Sequence, residues 1–180
     1  MKFTARISLL MVCIACTLSC GKAIPREPMS FDFESDEDLN RLRWHCKTLF
    51  SLSDKHATHG VHSLRMEFYP SDFPRFEPVF EIYDWSEYQT LCFDIYNPEL
   101  TNSTIFLRIN DRNDSPPHYD CYVGQFDLKP GQNTINIPLK TLFTKGTRRP
   151  LNLKSIYKFL IFMVKPARIY ILYLDNLRIV

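Results

Sequence analysis

The strongest constraint on the fold is a two-residue alternation of apolar side chains that recurs along the chain. In the segment SLRMEF at 63–68 the apolar residues alternate with Arg65 and Glu67. The segments LCFDIY at 91–96 and IFLRIN at 105–110 repeat the pattern. Because successive side chains of a strand point to opposite faces of a sheet, this alternation predicts strands that bury one face.

Further apolar runs predict additional strands. These runs cover residues 31–34, 43–52, 76–83, 122–128, 133–137, 159–164 and 169–179. Only 36–42 and 138–143 have the acidic or proline-led starts that are typical of a helical turn. Short strands separated by turn signals predict an all-β fold. We expect an antiparallel jelly-roll β-sandwich of about nine or ten strands.

Composition excludes several classes of protein. The 180 residues carry a formal net charge of +2, with 45% hydrophobic, 14% aromatic and 23% charged side chains. This balance argues against a basic nucleic-acid-binding protein and against an acidic disordered chain. The aromatic content favours β structure, and the chain is long enough to bury one substantial core.

The first nineteen residues are expected to be a signal peptide. Two basic residues precede an apolar run at 7–18, which is shorter than the roughly 20 residues of a membrane-spanning helix. The segment TLSC at 17–20 resembles a bacterial lipobox, in which cleavage leaves a lipid-bearing cysteine at Cys20. A leucine is usual three residues before that cysteine, and this sequence has Thr17 there. Ordinary secretion with cleavage nearby is the alternative.

Cleavage before Cys20 would leave 180 − 19 = 161 residues and remove two basic residues and no acid, so the net charge would fall from +2 to 0. Residues 20–30 would then be a lipidated cysteine with its tether, and residues 31–180 a single domain. Cys16 is a weaker alternative for lipidation. We expect a lipid anchor in the bacterial cell envelope. The residue after the lipid-bearing cysteine is Gly21 and not the Asp that favours retention at the inner membrane. This difference favours the outer membrane.

Three cysteines remain after this cleavage, namely Cys46, Cys92 and Cys121. An odd number allows at most one disulfide among them. Such a bridge is compatible with an oxidising compartment, and the pairing stays open. For Cys92 the alternative is a small packed residue within a strand.

Short motifs occur in a characteristic order along the chain. They are FE at 33–34, GVHSLR at 60–65, DWSEY at 84–88, FDIYNP at 93–98, LRIND at 107–111, LKPGQN at 128–133 and LDNLR at 174–178. This order resembles galactose-binding-like β-sandwich domains, notably bacterial carbohydrate-binding modules of the family 11 type. The resemblance covers about residues 31–180 and implies the same fold. Many such domains bind glycans and others bind proteins, so the fold does not settle the function.

The resemblance implies a structural calcium ion near the first and last strands. Glu34 and Asp175 are the matching carboxylates, and backbone carbonyls near 59–61 would complete the oxygen shell that calcium prefers. The alternatives are that Glu34 makes a turn hydrogen bond and that Asp175 pairs with an arginine.

The resemblance also implies a glycan site on the concave sheet or on the loops at its edge. The strands give a separate reason to expect one, because polar side chains occupy outward positions in strand centres. These are Arg65, Glu67, Asp94, Tyr96, Arg108 and Asn110. Planar polar groups bind sugar hydroxyls, and aromatic rings stack on sugar C–H faces. Cross-strand ion pairing on an exposed sheet, for example between Asp94 and Arg108, is the alternative.

Two tyrosines come after the loop at 111–117 and would extend a binding groove. They are Tyr119 and Tyr122. Tyr122 has the same parity as Phe126 and Leu128, so a place in the core is the alternative for it.

No arrangement of residues indicates catalysis. The sequence has no G-x-S-x-G, phosphate-loop or dinucleotide motif. Glu67 and Asp94 are the best pair for glycoside hydrolysis, which needs two carboxylates. The nearby Arg65 and Arg108 would keep both ionised, which is wrong for a general acid.

The sequence therefore predicts an envelope-anchored, non-catalytic carbohydrate-binding module that holds a polysaccharide or oligosaccharide on its polar sheet face. The alternative is an assembly lipoprotein that binds a protein partner of the envelope. An exposed aromatic patch would favour that alternative. The candidates for such a patch are Phe73, Phe76, Phe80 and Phe106.

Overall fold

The computed structural model describes residues 29–113 and 119–180. The predictions for the signal peptide, for Cys20 and for most of the tether lie outside the described residues, as does the segment SPP at 115–117, which is a turn signal of the sequence. The described strands are β1 (Met29–Phe31), β2 (Thr48–Ser53), β3 (Ser63–Phe68), β4 (Arg75–Phe76), β5 (Thr90–Asn97), β6 (Ser103–Asn110), β7 (Tyr122–Leu128), β8 (Gly131–Pro138), β9 (Lys158–Phe162) and β10 (Tyr170–Ile179). The described helical elements are α1 (Asp36–Asn40) and two single 3₁₀ turns, Leu139–Thr141 and Leu153–Ser155. None of them is long and apolar enough to cross a membrane.

The strands form two antiparallel sheets. One sheet has the order β2, β3, β10, β5 and β8, and β1 pairs with β10 to make it six-stranded. The other sheet has the order β4, β9, β6 and β7. The chain passes from the first sheet to the second between β5 and β6, although these strands are neighbours in sequence. The predicted antiparallel jelly-roll β-sandwich is confirmed, with ten described strands.

The core lies between the two sheets and takes the inward residues of almost every strand. Its largest fully buried side chains include Trp85, Phe31, Phe33, Phe68, Phe76, Phe93 and Phe159. Phe80 meets Phe31 and Trp85 edge to face, with ring centroids 5.5 and 5.2 Å apart. Edge-to-face contact is the arrangement that aromatic rings prefer. The two-residue alternation of the sequence thus supplies one continuous aromatic core.

Two predicted strands are shorter than their apolar runs. The run at 76–83 belongs to the ladder with β9 only at Phe76, because Pro78 cannot donate a backbone hydrogen bond to a ladder. Beyond β4 the run makes one isolated bridge, between Pro78 and Leu42. In the run at 43–52, strand β2 begins only at Thr48, although the N–H of Arg43 donates to the backbone of Glu77. Strand β1 begins at Met29, two residues before the expected start of the domain.

A bulge interrupts the pairing of β10 with β5 between Asp175 and Arg178. Asn176 within it has φ 52°, in the left-handed region that asparagine tolerates better than most residues. Asp175 lies opposite Asp94 on β5, and only 1% of its surface is exposed. Two carboxylates thus face each other at the centre of the six-stranded sheet, directly before the bulge.

No disulfide joins the three cysteines that were considered for pairing. Cys46 is exposed, whereas Cys92 and Cys121 are buried. Burial raises the pKa of both buried thiols. Cys92 is thus a small packed residue within β5, which was the alternative to a disulfide.

Candidate functional site

The predicted glycan-binding residues are divided between the two sheets. Arg65 and Glu67 lie on β3, Asp94 and Tyr96 on β5, and Arg108 and Asn110 on β6. The prediction that all six share one sheet face is wrong, since β6 belongs to the four-stranded sheet. Residue parity shows that a side chain points outward, but it does not show from which sheet. The alternative of an ion pair between Asp94 and Arg108 is also wrong, because the two residues lie on different sheets.

The outward surface of the six-stranded sheet, here called the six-stranded face, carries polar side chains that bind one another. Arg65 and Glu67 form an ion pair, and the Tyr69 hydroxyl donates to Glu67 Oε2 at 3.0 Å. The hydrogen bond from Arg65 is the main cause that lowers the pKa of Glu67. Glu67 is therefore held ionised by Arg65, as the sequence predicted, and not by Arg108, which lies on the other sheet.

Tyr96 on the same face is covered by a histidine. The ring of His56 lies parallel to that of Tyr96, with centroids 3.5 Å apart and an interplanar angle of 11°. It also meets Tyr173 edge-on at 4.7 Å. Burial lowers the pKa of His56, and the charge of Lys55 lowers it further. One face of Tyr96, the kind of surface on which a sugar would stack, is thus occupied by the protein itself.

The loop at 54–62, between β2 and β3, is fastened to the six-stranded face by Asp175. Asp175 Oδ2 accepts hydrogen bonds from the backbone N–H of Thr58 at 2.5 Å and of His59 at 2.9 Å. Its Oδ1 accepts one from the N–H of Asn176 at 2.6 Å. A buried carboxylate is tolerated when such donors satisfy it.

Asp94 contributes to the same fastening from β5. Its Oδ1 accepts a hydrogen bond from the Thr134 hydroxyl at 2.6 Å. Its Oδ2 accepts from the Thr58 hydroxyl at 3.0 Å and from Asn176 Nδ2 at 3.2 Å. The residue is only 9% exposed. Asp94 is therefore engaged in holding the loop and offers little surface to a ligand.

Glu34 holds the other end of this loop. Its carboxylate accepts hydrogen bonds from the N–H of Val61 at 3.0 Å and of His62 at 2.9 Å, which lower its pKa. Gly60 has φ 65°, and a Cβ atom there would come within 2.3 Å of the Glu34 carboxylate. Only glycine accommodates both the conformation and the close approach.

The expected calcium ligands do not fit a calcium site in this arrangement. Calcium binds oxygen ligands, yet the loop directs backbone N–H groups at Glu34 and Asp175 where carbonyl oxygens were expected. In the described part of the chain, no group of three or more histidine, cysteine or acidic side chains is placed to hold a metal. Glu34 instead accepts hydrogen bonds from the loop backbone, which was the alternative expected for it. Asp175 also accepts hydrogen bonds from backbone N–H groups, where the alternative expected an arginine.

The outward surface of the four-stranded sheet, here called the four-stranded face, contains a groove of about 780 Å³. This volume is typical of ligand-binding clefts. Its floor is formed by outward residues of β4, β6, β7 and β9, and its walls by the flanking loops. The lining residues are Phe73, Arg75, Arg108, Asn110, Arg112, Asn113, Val123, Tyr157, Lys158, Leu160 and Phe162.

Two predicted residues, Arg108 and Asn110, lie together in the floor of this groove. Arg108 is opposite Val123 on β7 and Leu160 on β9, in the middle of the sheet. Its Nε donates to Asn110 Oδ1 at 2.8 Å. Apolar neighbours on both sides and this hydrogen bond position the guanidinium in the groove.

Aromatic rings extend across one end of the groove. Phe162 stacks on Phe106 with centroids 5.5 Å apart, and Phe73 meets Phe162 edge-on at 6.1 Å. Phe73 is 53% exposed, although its ring is apolar. These rings offer flat apolar surface beside the planar polar groups of Arg108 and Asn110.

A buried carboxylate organises the basic side chains at another part of the groove. Glu77 is 3% exposed, and His45 Nε2 lies 2.8 Å from its Oε2. Arg75 Nε and Lys158 Nζ, both groove residues, each lie 3.7 Å from its carboxylate oxygens. Arg43 contacts it from outside the groove at 3.4 Å. Glu77 therefore holds two cationic groove residues without lining the groove itself.

The connection from β6 to β7 is fixed at its start and end by Arg149. Two of its guanidinium nitrogens donate to Asp111 at 2.6 and 2.8 Å, and its Nε donates to Asp120 at 2.8 Å. Burial alone would raise the pKa of Asp111, but Arg149 and the N–H of Asn152 outweigh it and lower that pKa. Arg112 also contacts Asp120, at 3.3 Å. This network fixes the end of the groove that carries Arg112.

The two predicted tyrosines do not join the groove. Tyr119 is 56% exposed, but it lies against Gly146 and is not a lining residue. Tyr122 is partly buried against the core, and burial raises its pKa. The core alternative is therefore confirmed for Tyr122.

Most lining residues of the groove were not predicted from the sequence. The available signal was the run FLIFMV at 159–164, which is apolar at both parities. Such a strand has apolar side chains on both faces. Leu160 and Phe162 are the outward members, and they form the apolar floor. Phe73, Arg75 and Tyr157 reach the groove from distant segments, which no local pattern indicates.

Comparisons with known proteins relate the fold to solved structures. No protein-family model and no curated protein matches the sequence. A family 11 carbohydrate-binding module from Clostridium thermocellum, solved with a β-1,3-1,4-mixed-linked tetrasaccharide, superposes with a TM-score of 0.64 and 15% identity. The match covers 84% of this chain and 94% of that module. A family 30 module of a cellulosomal cellulase from the same organism matches with a TM-score of 0.56 and 13% identity, over 78% and 86% of the two chains.

An exo-β-agarase gives a TM-score of 0.70 at 18% identity and is similar over 86% of this chain. The match spans only 25% of the agarase, so it concerns one part of that enzyme. At these identities the comparisons establish the fold and leave the ligand open. The chain therefore has the antiparallel jelly-roll β-sandwich fold of the family 11 and family 30 carbohydrate-binding modules.

Proposed function

We propose that the chain is a non-catalytic carbohydrate-binding domain, and that it holds a polysaccharide in the groove of the four-stranded face. The observation that carries this proposal is the groove itself, because it combines exposed aromatic surface with positioned planar polar groups. Sugars present apolar C–H faces and many hydroxyls, so they match such a surface. The neighbours with the same fold are carbohydrate-binding modules, which supports the same class of ligand.

The polar residues of the six-stranded face are less suited to this role. Arg65 and Glu67 bind each other, and Asp94 is satisfied by neighbouring donors. Tyr96 is stacked against His56. A ligand on this face would have to displace contacts within the protein, whereas a ligand in the groove displaces mainly water.

Affinity electrophoresis of the full chain in gels that contain soluble polysaccharides tests the proposal. We expect at least one polysaccharide to retard wild type, and Phe73→Ala to weaken the retardation about fivefold, which is the value of one aromatic contact. Phe143→Ala is a matched control, because Phe143 is similarly exposed and lies outside the groove. Equal retardation of the two variants would place the site elsewhere, and no retardation with any glycan would reject the function.

The second candidate function is binding of a protein partner of the cell envelope. The observation that favours it is the aromatic patch formed by Phe73, Phe106 and Phe162 on the four-stranded face. Phe76 and Phe80, which were also expected in such a patch, belong to the core. Cross-linking in envelope membranes distinguishes the two functions. Stoichiometric capture of one protein by wild type, lost in Phe73→Ala and unaffected by added glycan, would favour the protein partner.

We also propose that the domain is anchored to the cell envelope, through a lipid on Cys20. The support is the lipobox-like segment at 17–20 and the short tether that follows. Labelling of cells with a radioactive fatty acid tests this. We expect wild type to be labelled and found with outer-membrane fractions, and Cys20→Ser to be unlabelled. Labelling of Cys20→Ser would instead point to Cys16, and an unlabelled wild type would reject the anchor.

A further inference from the structure

The groove is lined by cationic side chains and by no carboxylate among the described residues. Arg75, Arg108, Arg112 and Lys158 are the cationic members. Among the described residues, two acids contact these cations: Glu77, which is 3% exposed, and Asp120, which is 5% exposed. Among the described residues, a ligand in the groove therefore meets positive charge at the surface, because these two acids are almost inaccessible.

The positive charge around Glu77 exceeds what that residue neutralises. Three permanent cations, Arg43, Arg75 and Lys158, contact this one carboxylate. Counting these groups alone gives 3 − 1 = 2 surplus positive charges, and without Arg43, which lies outside the groove, 2 − 1 = 1. The whole chain carries only +2 in 180 residues, so the surplus is a local property of this region. Charges concentrated in a cleft focus their field on the ligand.

Arg108 adds a cation that no described acid neutralises. In residues 29–113 and 119–180, its contacts are Asn110 and the thiol of Cys121, and neither is an acid. Asn110 is 4% exposed, so the hydrogen bond that orients the guanidinium is protected from water. A positioned arginine of this kind is the side chain best suited to bind a planar or tetrahedral oxyanion through two hydrogen bonds.

We propose that the groove binds an anionic polysaccharide, one that carries carboxylate or sulfate groups, and that Arg108 binds one of these groups. This inference rests on the proposed function and specifies its ligand. The aromatic rings beside Arg108 would contact the sugar ring that bears the anionic group. Arg75 and Lys158 would interact with further charges along the same polymer.

Binding of the full chain to matched polysaccharides tests the inference. The neutral probes are hydroxyethyl cellulose and dextran, and their anionic counterparts are carboxymethyl cellulose, cellulose sulfate and dextran sulfate. We expect an anionic polymer to bind at least tenfold more tightly than its neutral counterpart. The advantage should largely disappear when salt rises from about 0.1 M to about 1 M, since the screening length falls from about 10 to about 3 Å. Comparison of the carboxylated and sulfated polymers identifies which group is recognised.

Variants of Arg108 separate a positioned contact from general charge attraction. We expect Arg108→Ala to weaken binding of the anionic polymer about tenfold or more, the value of a charged hydrogen bond. Arg108→Lys keeps the charge and should fall between wild type and Arg108→Ala. Lys129→Ala, in the turn between β7 and β8, removes the same charge outside the groove and should bind like wild type. A thermal melt of each variant confirms that it is folded.

Each outcome has a separate meaning. Equal binding of neutral and anionic polymers, insensitive to salt, would overturn the anionic ligand and leave the proposed function in place. Binding that Arg108→Ala and Lys129→Ala weaken equally would overturn the role of Arg108, because charge alone would explain it. Absence of binding to every polysaccharide would overturn the proposed function together with the inference.

Discussion

The two faces of the sandwich differ in how their polar and aromatic side chains are used. On the six-stranded face, Arg65 is paired with Glu67 and His56 covers Tyr96. On the four-stranded face, no described acid pairs with Arg108, and Phe73 is exposed. Both faces present arginines, aromatic rings and amides or carboxylates at outward strand positions. They differ in whether these side chains are already bound or covered by other parts of the protein. The loop at 54–62 lies against the first face, and a groove remains open on the second.

This difference shows that polar residues in strand centres have two distinct uses. On the six-stranded face, carboxylates at 34, 94 and 175 satisfy the backbone and side-chain donors of one loop. On the four-stranded face, the buried acids Glu77 and Asp120 contact basic side chains that line the groove but do not line it themselves. The first arrangement stabilises the fold, and the second leaves charge available to a ligand.

The largest effect on stability is expected from Asp175→Asn. Asparagine keeps only one of the two acceptor oxygens, so its NH2 group meets either the N–H groups of Thr58 and His59 or that of Asn176, and a buried donor is left without a partner. We expect the free energy of unfolding to fall by about 3 kcal/mol, as for a buried hydrogen-bonded charge. Urea denaturation of wild type and variant measures this.

Asp127→Asn is the matched control for that variant. Asp127 is exposed on β7 and accepts one hydrogen bond from Thr104, so its substitution should change the unfolding free energy by less than about 0.5 kcal/mol. Where Asp175→Asn remains folded, its glycan affinity should equal that of wild type. A stable Asp175→Asn with weakened glycan binding would reverse the roles of the two faces.

The fold was predictable because its signal is local. Alternation in SLRMEF, LCFDIY and IFLRIN placed β3, β5 and β6, and the inward residues of each are fully buried. Strand lengths were less predictable, because pairing depends on neighbours as well as on apolar content. Pro78 ended β4 early, although the apolar run continues beyond it.

The site was only partly predictable, because it depends on topology. Arg108 and Asn110 were identified by parity, but parity cannot assign β6 to the sheet opposite β5. The cover over Tyr96 comes from His56, forty residues earlier, and no local pattern indicates it. Whether a ligand can reach a side chain depends on contacts between segments that are distant in sequence.

The next largest effect is expected from Arg65→Ala. This variant breaks the pair with Glu67, whose side chain is 15% exposed, and should lower the unfolding free energy by about 1 kcal/mol. Polysaccharide affinity should not change, in contrast to Arg108→Ala. Measuring unfolding and binding for both variants gives opposite patterns if the two faces differ as described. A binding defect in Arg65→Ala that equals the one in Arg108→Ala would contradict this contrast.

A smaller, pH-dependent effect is expected from His56. Burial places its pKa below the ordinary value of 6.5, so the unfolded chain takes up this proton at a higher pH than the folded chain does. Stability from this group is present above about pH 6.5 and is lost as the pH falls through the folded pKa. The unfolding free energy of wild type should therefore decline more than that of His56→Gln between about pH 7.5 and about pH 5.5. Identical declines would show that the burial of His56 against the six-stranded face does not favour the neutral histidine.

The smallest effect is expected from calcium. Backbone N–H groups already satisfy Glu34 and Asp175, so a calcium ion would have to displace these donors before it could bind. We expect the melting temperatures in about 1 mM calcium and in excess chelator to agree within about 1 °C. An ion present at about 100 times its dissociation constant would add about 2.7 kcal/mol, which is several degrees for a domain of this size. A shift of that size, abolished in Glu34→Gln, would show that an ion rather than backbone amides fixes the loop over the six-stranded face.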